Sequence, residues 1–318
     1  MRIAILDDYQ DAVRKLDCIH LLDGHEVTVF DRPLRGDALA EALAGFDALV
    51  LIRERTRIDD ALLARLPALK VISQTGKAGA HLDLAAANAR GITVLEGDGD
   101  PVAPAELTWA LVLAAYRRIP QYVSQLQAGV WQSSAVQDGP ESIGRALRGD
   151  VLGIWGYGRI GRLVAGYGRA FGMRVLVWGS AASRQRARAD GCLAADSRAA
   201  FFEQADVISL HLRLAAATQG LVGFGDLARM KSSALLVNTS RAGLIETGAL
   251  ERALELGRPG LFALDVFDHE PVPASSTLLQ HPRVLASPHL GYVEQKSYEL
   301  YFGSAFRNLL TCAAAGRH

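Results

Sequence analysis

In the N-terminal part of the chain, short apolar runs alternate with segments whose apolar residues have helical spacing. The apolar runs predict these strands: Arg2–Leu6, Glu26–Phe30, Ala48–Ile52, Lys70–Ser73 and Ile92–Leu95. A helix is predicted after the first strand, up to about Leu22, and others at Ala38–Leu43 and Asp60–Leu66. Strands that alternate with helices indicate a parallel sheet covered by helices on both faces.

A second series of the same kind begins at Val151. Its predicted strands are Val151–Trp155, Arg174–Trp178, Asp206–Leu210, Ala234–Asn238 and Gly260–Leu264. Between the two series lie a long apolar helix, Pro104–Arg117, and a polar, glycine-rich segment, Gln127–Asp150. The tail, Val293–Ala315, is predicted to be one helix. The whole pattern indicates two domains of the α/β class.

Length and composition agree with two globular domains. The chain has 318 residues, and a domain has roughly 150. The chain has 34 Lys and Arg residues and 34 Asp and Glu residues, so its formal net charge is zero. The absence of a positive net charge argues against nucleic-acid binding. No apolar run reaches the ~18 residues that a membrane span needs. The three scattered cysteines, Cys18, Cys192 and Cys312, indicate neither a disulfide framework nor a metal site. We expect a soluble cytoplasmic protein without a metal ion, and an enzyme is the natural class.

A glycine-rich motif directly follows the predicted strand Val151–Trp155. It reads Gly156-Tyr157-Gly158-Arg159-Ile160-Gly161. A helical pattern and a second apolar run follow it, which completes a βαβ unit of about 30 residues. In such a unit the first glycine makes a tight turn, the second lets the backbone approach a pyrophosphate, and the third lets helix and strand pack closely. We expect a dinucleotide site here, the alternative being a turn that serves packing alone.

The residues after the second strand of this βαβ unit bear on the choice between NAD and NADP. An acidic residue there would bind the ribose 2′-hydroxyl. Here Gly179 and Ser180 follow Trp178, and Arg184 comes one helical turn later. Without the acid a 2′-phosphate is not repelled, and an arginine can pair with it. The sequence therefore favours NADP(H), unless Arg184 belongs only to a solvated helix face.

Three fragments of the second series place polar residues just after apolar runs. They contain, in chain order, Arg241, Glu270 and His289. Ligands bind at the carboxyl ends of parallel strands, so we expect these side chains to share one site. An imidazole exchanges protons near neutral pH, and a carboxylate beside it raises its pKa and fixes its tautomer. An arginine offers a forked donor to a 2-oxo carboxylate. The three residues form a candidate acid–base set.

These fragments and the glycine motif resemble the D-isomer-specific 2-hydroxyacid dehydrogenase family, and the resemblance covers nearly the whole chain. The matching segments are Thr75–Asp83, Ala105–Thr108, Gly156–Gly161, Ser209–Leu212, Val237–Arg241, Leu264–Pro271 and Ser287–Gly291. The resemblance implies an NAD(P)-dependent oxidoreductase that interconverts a D-2-hydroxy acid and its 2-oxo acid. It also implies that Arg241, Glu270 and His289 are the catalytic residues.

Further site residues follow from the resemblance alone. The backbone of Lys77–Gly79 would hold the substrate carboxylate together with Arg241 and His289, and Asp265 would hold the nicotinamide carboxamide. His211 would contact the cofactor through its backbone, the alternative being a structural role. The other implied cofactor-binding residues are Gly156, Gly158, Arg159, Ile160, Gly161, Gly179, Ser180, Arg184, Leu212, Thr239, Ser240 and Gly291.

The chain departs from the family pattern at several of these positions. Gly179 stands where the family usually has an acid, and Lys77 stands where it has a small residue. Ala78 and Ala80 stand in place of the usual Gly and Asp. None of these departures removes a catalytic group. They leave open which cofactor is preferred and which 2-oxo acid is the substrate.

The resemblance implies two doubly wound parallel-sheet domains with the active-site cleft between them. A flavodoxin-like substrate domain would comprise residues 1–98 and 290–318, and a Rossmann cofactor domain residues 99–289. The helix Ala105–Tyr116 and the segment Gln127–Asp150 would form the contact of a homodimer, unless the helix is only a core element. Two other functions stay open: a non-catalytic, dinucleotide-sensing corepressor-like protein, and a formate or phosphite dehydrogenase, although Glu270 disfavours formate.

Overall fold

The structure, a computed structural model, describes residues 1–133 and 143–315. Its chain forms two compact units, one made of Met1–Asp100 with Val293–His318 and the other of Pro101–Tyr292. Each unit contains one parallel sheet flanked by helices, which confirms the predicted α/β class. Part of the predicted dimer segment Gln127–Asp150, residues 134–142, lies outside the described residues.

The strands follow one another along the chain and are parallel to their neighbours in both sheets. They are β1 (Arg2–Leu6), β2 (Glu26–Val29), β3 (Ala48–Leu51), β4 (Val71–Gln74), β5 (Thr93–Glu96), β6 (Val151–Trp155), β7 (Arg174–Trp178), β8 (Leu193–Ala194), β9 (Val207–Leu210), β10 (Leu235–Asn238), β11 (Leu261–Leu264) and β12 (Val284–Ala286). The described strands of the first unit have the order β2-β1-β3-β4-β5, which is that of flavodoxin-like sheets. Those of the second have the order β12-β11-β10-β9-β6-β7-β8, which changes direction between β6 and β9. Ligands bind at such a switch point in open parallel sheets.

The helices connect these strands. They are α1 (Gly36–Leu43), α2 (Asp60–Leu63), α3 (Leu84–Ala89), α4 (Val102–Tyr116), α5 (Ile119–Gln127), α6 (Arg159–Ala170), α7 (Ala181–Ala189), α8 (Arg198–Gln204), α9 (Phe224–Leu227), α10 (Ala249–Leu256), α11 (Thr277–Gln280) and α12 (Gln295–Ala314). Side chains cap several of them: the Asp83 carboxylate, for example, accepts the Ala86 N–H at the start of α3, at 2.9 Å. Across residues 1–133 and 143–315, no helix has both the length and the apolar character that crossing a bilayer requires.

The central strands of both sheets form the cores of the two units. Every residue of β3, β4, β6, β9 and β10 is buried. Strands in a parallel sheet are covered by helices on both faces, so they need apolar side chains on both faces. The loops that follow these strands are therefore anchored on rigid, buried elements.

Three features differ from the sequence prediction. The single helix predicted to end near Leu22 is wrong, because two 3-10 helices, Val13–Lys15 and Asp17–Leu22, flank an extended Leu16. The Asp8 carboxylate accepts the N–H groups that start the first of these helices, which fixes a tight turn there. The helix α5 and the short strand β8 were not predicted, and β12 is the apolar run that directly precedes the fragment Ser287–Gly291. The tail helix is confirmed, and it is α12.

Candidate active site

The three predicted catalytic residues follow adjacent strands of the second unit. Arg241 lies just after β10, Glu270 in the loop after β11, and His289 shortly after β12. These strands are neighbours in the sheet, and they are parallel, so the loops at their carboxyl ends are close together. The fold thus places the three fragments along one edge of one sheet.

His289 and Glu270 are in direct contact. The distance from His289 Nδ1 to Glu270 Oε2 is 2.7 Å, and their side chains are 25% and 35% exposed. A carboxylate can only accept, so Nδ1 carries the proton and donates it to this bond. In the neutral imidazole, Nε2 is then the basic atom. Burial works to raise the pKa of Glu270, but the hydrogen bond and charge of His289, the Phe267 N–H and the charge of Arg241 together hold it below its ordinary value.

The Arg241 segment is fixed by its own backbone and by neighbouring strands. The Asn238 side-chain amide donates to the carbonyl of Arg241 at 2.9 Å, and Arg241 Nη1 donates to the carbonyl of Ser240 at 2.6 Å. Ser240 Oγ donates to the carbonyl of Leu210 at the end of β9, at 2.7 Å. Thr239 Oγ1 is 2.7 Å from Thr108 Oγ1 on α4. The predicted cofactor residues Thr239 and Ser240 thus also tie this loop to its surroundings.

Asp265 organises the loop that carries His289. Its Oδ1 accepts from Ser287 Oγ at 2.6 Å and from the Leu290 N–H at 2.8 Å, and its Oδ2 accepts from the Gly291 N–H at 2.9 Å. Burial raises the pKa of Asp265, although these donors and the charge of His289 oppose that shift. His289 has a φ of +54°, in the left-handed region that residues other than glycine rarely adopt. The buried carboxylate thus holds the Ser287 side chain before that strained residue and the two backbone N–H groups after it.

The glycine turn fits a dinucleotide. A Cβ on Gly156, whose φ is +104°, would lie 2.6 Å from the backbone carbonyl of His211, and one on Gly161 would lie 2.2 Å from the Gly156 oxygen. Only glycine permits these two approaches. At Gly158 a Cβ would meet nothing within 4 Å, so the space in front of this residue is open. The helix α6 begins at the next two residues, Arg159 and Ile160, so its first N–H groups are available to a phosphate.

The residues after β7 form a short structured segment. Gly179 has a φ of +150°, so a residue with a side chain would be strained there. Ser180 caps α7, because its Oγ accepts the Ser183 N–H at 3.2 Å. The Arg184 guanidinium lies over the Trp178 ring, with its carbon 4.8 Å from the ring centroid. Arg184 is thus packed against the end of β7, and its guanidinium is held there by a cation–π contact.

His211 and Leu212 follow β9 beside the glycine turn. The His211 N–H donates to the carbonyl of Trp155 at 2.8 Å, which joins the ends of β6 and β9. His211 Nε2 is 2.9 Å from Ser209 Oγ. Burial lowers the pKa of His211 to about 4, so its side chain is neutral near pH 7. A neutral, buried imidazole suits a structural role, while the adjacent backbone of Leu212 lies against Gly156.

In the first unit, the predicted carboxylate loop follows β4. Its Lys77 ammonium is 3.1 Å from Glu96 Oε2, and its Ala78 N–H donates to Glu96 Oε1 at 2.8 Å. At Gly79 an added Cβ would lie 3.4 Å from both Glu54 Oε1 and His81 Nδ1. The loop therefore already contacts a carboxylate, through both a backbone N–H and a side-chain cation.

Arg53 lies beside the same loop and was missed by the sequence analysis. Its N–H donates to Thr75 Oγ1 at 3.0 Å, and a Cβ on Gly76 would lie 1.9 Å from its Nη1. Its φ of +53° is in the left-handed region, and such strain is concentrated at functional sites. The signal available in the sequence was the position of Arg53, a charged residue just after the apolar run Ala48–Ile52. Among the described residues, no cluster of His, Cys, Asp and Glu could hold a metal ion.

Solved structures resemble this chain over its full length. An oxidoreductase structure from Ralstonia solanacearum has a TM-score of 0.97 and 56% sequence identity. The match covers 100% of this chain and 95% of the Ralstonia chain. The structure of a phosphoglycerate oxidoreductase from Vibrio cholerae O395 has a TM-score of 0.95 and 52% identity, and covers 99% of both chains. The two-domain parallel-sheet fold is thus shared with these oxidoreductases.

Sequence relatives point to the same family. A glyoxylate reductase of Aeropyrum pernix is 35% identical over 271 residues, which is 83% of this chain and 80% of the relative. The D-3-phosphoglycerate dehydrogenase of Bacillus subtilis is 35% identical over 254 residues, which is 79% of this chain but 46% of the relative. The chain spans about half the length of the phosphoglycerate dehydrogenases that it matches.

The family model described as D-isomer specific 2-hydroxyacid dehydrogenase, NAD binding domain, matches residues 109–291. This range contains the glycine turn, the Asp265 loop and the His289–Glu270 pair, and it is more than half of the chain. The family consists of NAD-dependent oxidoreductases. This protein belongs to the D-isomer specific 2-hydroxyacid dehydrogenase family.

Proposed function

We propose that this protein interconverts a small D-2-hydroxy acid and its 2-oxo acid with NAD(P) as the hydride carrier. The observation that carries this proposal is the 2.7 Å contact between His289 Nδ1 and Glu270 Oε2. It leaves Nε2 as the atom that exchanges a proton with the C2 oxygen of the substrate. Hydride exchange at C2 is the chemistry that a bound nicotinamide supplies.

Each of the three polar residues has a distinct task in this reaction. In the oxidative direction, His289 Nε2 takes the hydroxyl proton, and the ionised Glu270 stabilises the imidazolium that results. In the reductive direction, the imidazolium returns the proton to the C2 oxygen. The Arg241 guanidinium binds the substrate carboxylate and polarises the C2 oxygen. Asp265 holds the loop of His289. Its carboxylate can accept one further hydrogen bond, which would come from the carboxamide of the nicotinamide.

The substrate class follows from the groups that would bind it. Arg241 would bind a carboxylate, and so would the Lys77–Gly79 loop, while the relatives are named for phosphoglycerate and for glyoxylate. We propose a 2-oxo acid of this general kind.

The test is a panel of 2-oxo acids of graded size, including glyoxylate, pyruvate and hydroxypyruvate, with each reduced cofactor. The His289→Asn variant serves as the control, with kcat expected to fall by ~10²–10⁴. Absence of turnover on every acid by folded, cofactor-binding protein would refute the proposal.

We propose further that NADP(H) is used at least as well as NAD(H). Gly179 offers no carboxylate to repel a 2′-phosphate. Ser180 and Arg184 lie at the start of α7, and the contact with Trp178 holds the Arg184 guanidinium at the end of β7. A charge-assisted hydrogen bond from such an arginine to a phosphate is among the stronger polar contacts in proteins.

A homodimer is the proposed assembly, and α5 supplies an argument for it. Ile119, Val123 and Leu126 are 48%, 48% and 54% exposed, and their spacing places them on one face of the helix. Trp131, just beyond the helix, is 70% exposed. Apolar groups gathered on one exposed helix face mark an interaction site, and a second copy of this chain is the proposed partner.

A further inference from the structure

The loop that is proposed to bind the substrate carboxylate holds a carboxylate of the protein itself. Glu96 Oε1 accepts the Ala78 N–H at 2.8 Å, and Glu96 Oε2 lies 3.1 Å from Lys77 Nζ. The Glu96 carboxylate is therefore bound both to a backbone N–H and to the side-chain cation of the Lys77–Gly79 loop. These are the two kinds of group with which a protein recognises a carboxylate ligand.

The position of Glu96 follows from the sheet. Glu96 ends β5 and is the register partner of Gln74, which ends β4. The next residue, Gly97, donates its N–H to the carbonyl of Gly76 at 3.0 Å, and a Cβ on Gly97 would lie 2.7 Å from the carbonyl oxygen of Gln74. This close approach of the two strand ends brings the Glu96 side chain beside the loop that follows β4.

The contact can be broken readily. The side chains of Lys77 and Glu96 are 68% and 42% exposed, so water reaches both charged groups. An exposed ion pair contributes little to stability because solvent screens it and two flexible side chains must be ordered. A carboxylate that arrives with the substrate can therefore replace Glu96 at Ala78 and Lys77.

We propose that Glu96 is an internal competitor for the substrate carboxylate, and that it sets the KM for the 2-oxo acid. The proposal rests on the function proposed above, in which Lys77–Gly79 binds that carboxylate. When one conformer blocks a site, the apparent dissociation constant rises by the reciprocal of the open fraction. Whenever the contact is closed, it thus weakens substrate binding without touching the chemical step. Release of Glu96 also frees the Lys77 ammonium for the incoming anion.

The decisive variant is Glu96→Gln, which keeps an oxygen that can accept the Ala78 N–H but loses the charge that holds Lys77. We expect the KM for the 2-oxo acid to fall by roughly 3- to 10-fold, with kcat and the cofactor KM unchanged, because the open fraction rises. The matched control is Glu203→Gln, which removes the same charge from an ion pair with Arg229 whose side chains are both 52% exposed. It should leave every constant unchanged.

A supporting role for Glu96 would give the opposite sign. If Glu96 only held the loop in shape, then Glu96→Ala and Glu96→Gln would both raise the KM. On the competition proposal, both variants lower it, and Lys77→Met raises it because the cation is lost. A KM that is unchanged or raised in Glu96→Gln overturns the proposal.

Binding of oxamate, an unreactive analogue of a 2-oxo acid, separates this proposal from the assignment of the reaction. Calorimetry with the NADH-loaded protein should give a dissociation constant for Glu96→Gln that is roughly 3- to 10-fold lower than that of the wild type. Equal affinity, or no binding to either form, overturns the competition even if the wild type reduces 2-oxo acids. Tighter binding by the variant supports it even if the panel of 2-oxo acids shows no turnover, which would refute the reaction alone.

Discussion

Glu270 determines what His289 can do, because its carboxylate stays ionised near neutral pH. Its pKa is held below the ordinary value despite partial burial, through the hydrogen bond and charge of His289, the N–H of Phe267 and the charge of Arg241. An ionised Glu270 keeps the proton of His289 on Nδ1, so Nε2 is the nitrogen with a free lone pair that can accept a proton. The proposed acid–base chemistry therefore depends on a charge that the protein itself maintains.

Glu270→Gln should lower kcat by roughly 10- to 100-fold, because the amide carries no charge to stabilise the imidazolium.

The same substitution should also lower the stability of the fold, by an amount that depends on pH. A glutamate with a lowered folded pKa contributes stability above its unfolded pKa, and this contribution is lost as the pH falls through the folded pKa. The difference in Tm between wild type and variant should thus be largest near neutral pH and shrink towards acid pH. Calorimetry across that range checks it, with the exposed Asp268→Asn as control, and a difference independent of pH would contradict it.

The position of a residue at a strand end explains which candidate residues the sequence predicted and which it did not. Arg241, Glu270 and His289 could be predicted as candidates because each follows an apolar run, and the carboxyl ends of parallel strands meet. Arg53 also follows such a run, but it has no distinctive motif beside it. The contact of Glu96 with Ala78 was beyond reach, because it depends on how closely the ends of β4 and β5 approach.

The glycine turn between β6 and α6 contains glycines with different tasks. Gly156→Ala should reduce the free energy of unfolding by at least ~2 kcal/mol, since its Cβ would meet the His211 carbonyl at 2.6 Å and its φ is +104°. Gly158→Ala should change that free energy by about 1 kcal/mol or less, because its φ is negative and its Cβ enters open space. That same methyl group would obstruct a pyrophosphate, so the KM for the cofactor should rise.

Urea unfolding and cofactor titration measure the two effects separately. The assignment of tasks fails if Gly158→Ala destabilises the protein as much as Gly156→Ala does. It also fails if Gly158→Ala binds the cofactor as tightly as the wild type.

Secondary structure was predictable wherever burial produces a clear apolar pattern in the sequence. The buried central strands, such as β6 and β10, appear in the sequence as continuous apolar runs. The edge strand β8 has two residues, of which Leu193 is exposed, so no run marks it. The helix α5 was missed although its apolar residues have helical spacing, because none of its residues is buried and polar residues stand between the apolar ones.

The exposed apolar face of α5 leads to a prediction about assembly. Leu126→Glu should convert the proposed dimer to a monomer at micromolar concentration, because a charge in the centre of an apolar contact is costly to bury. Leu256→Glu is the matched control, since Leu256 ends α10 and is 51% exposed, against 54% for Leu126. Light scattering on the wild type and both variants checks this. A monomeric wild type, or a dimer that survives Leu126→Glu, would contradict the role of α5.

The proposed cofactor-binding residues all lie within one of the two units of the molecule, Pro101–Tyr292. A ligand that binds only the folded state stabilises it by RT ln(1 + [L]/Kd), which is about 2.7 kcal/mol at a hundredfold excess over Kd. The rise in Tm with NADH or NADPH therefore reports the affinity of each cofactor without any catalytic turnover. A tenfold difference in Kd corresponds to about 1.4 kcal/mol.

NADPH should raise the Tm of the wild type at least as much as NADH at equal concentration, since Gly179 carries no charge and Arg184 lies at the start of α7. Gly179→Asp is a poor test, because its φ of +150° would strain any side chain. Ser180→Asp is better: aspartate caps a helix as well as serine does, and it adds a negative charge where the 2′-phosphate would lie. It should reduce the effect of NADPH and leave that of NADH, whereas the neutral cap Ser180→Asn should leave both. The opposite result has two parts: NADH raises the Tm of the wild type more than NADPH does, by the equivalent of tenfold in Kd, and Ser180→Asp does not alter this difference. It would show that the missing acid does not set the preference.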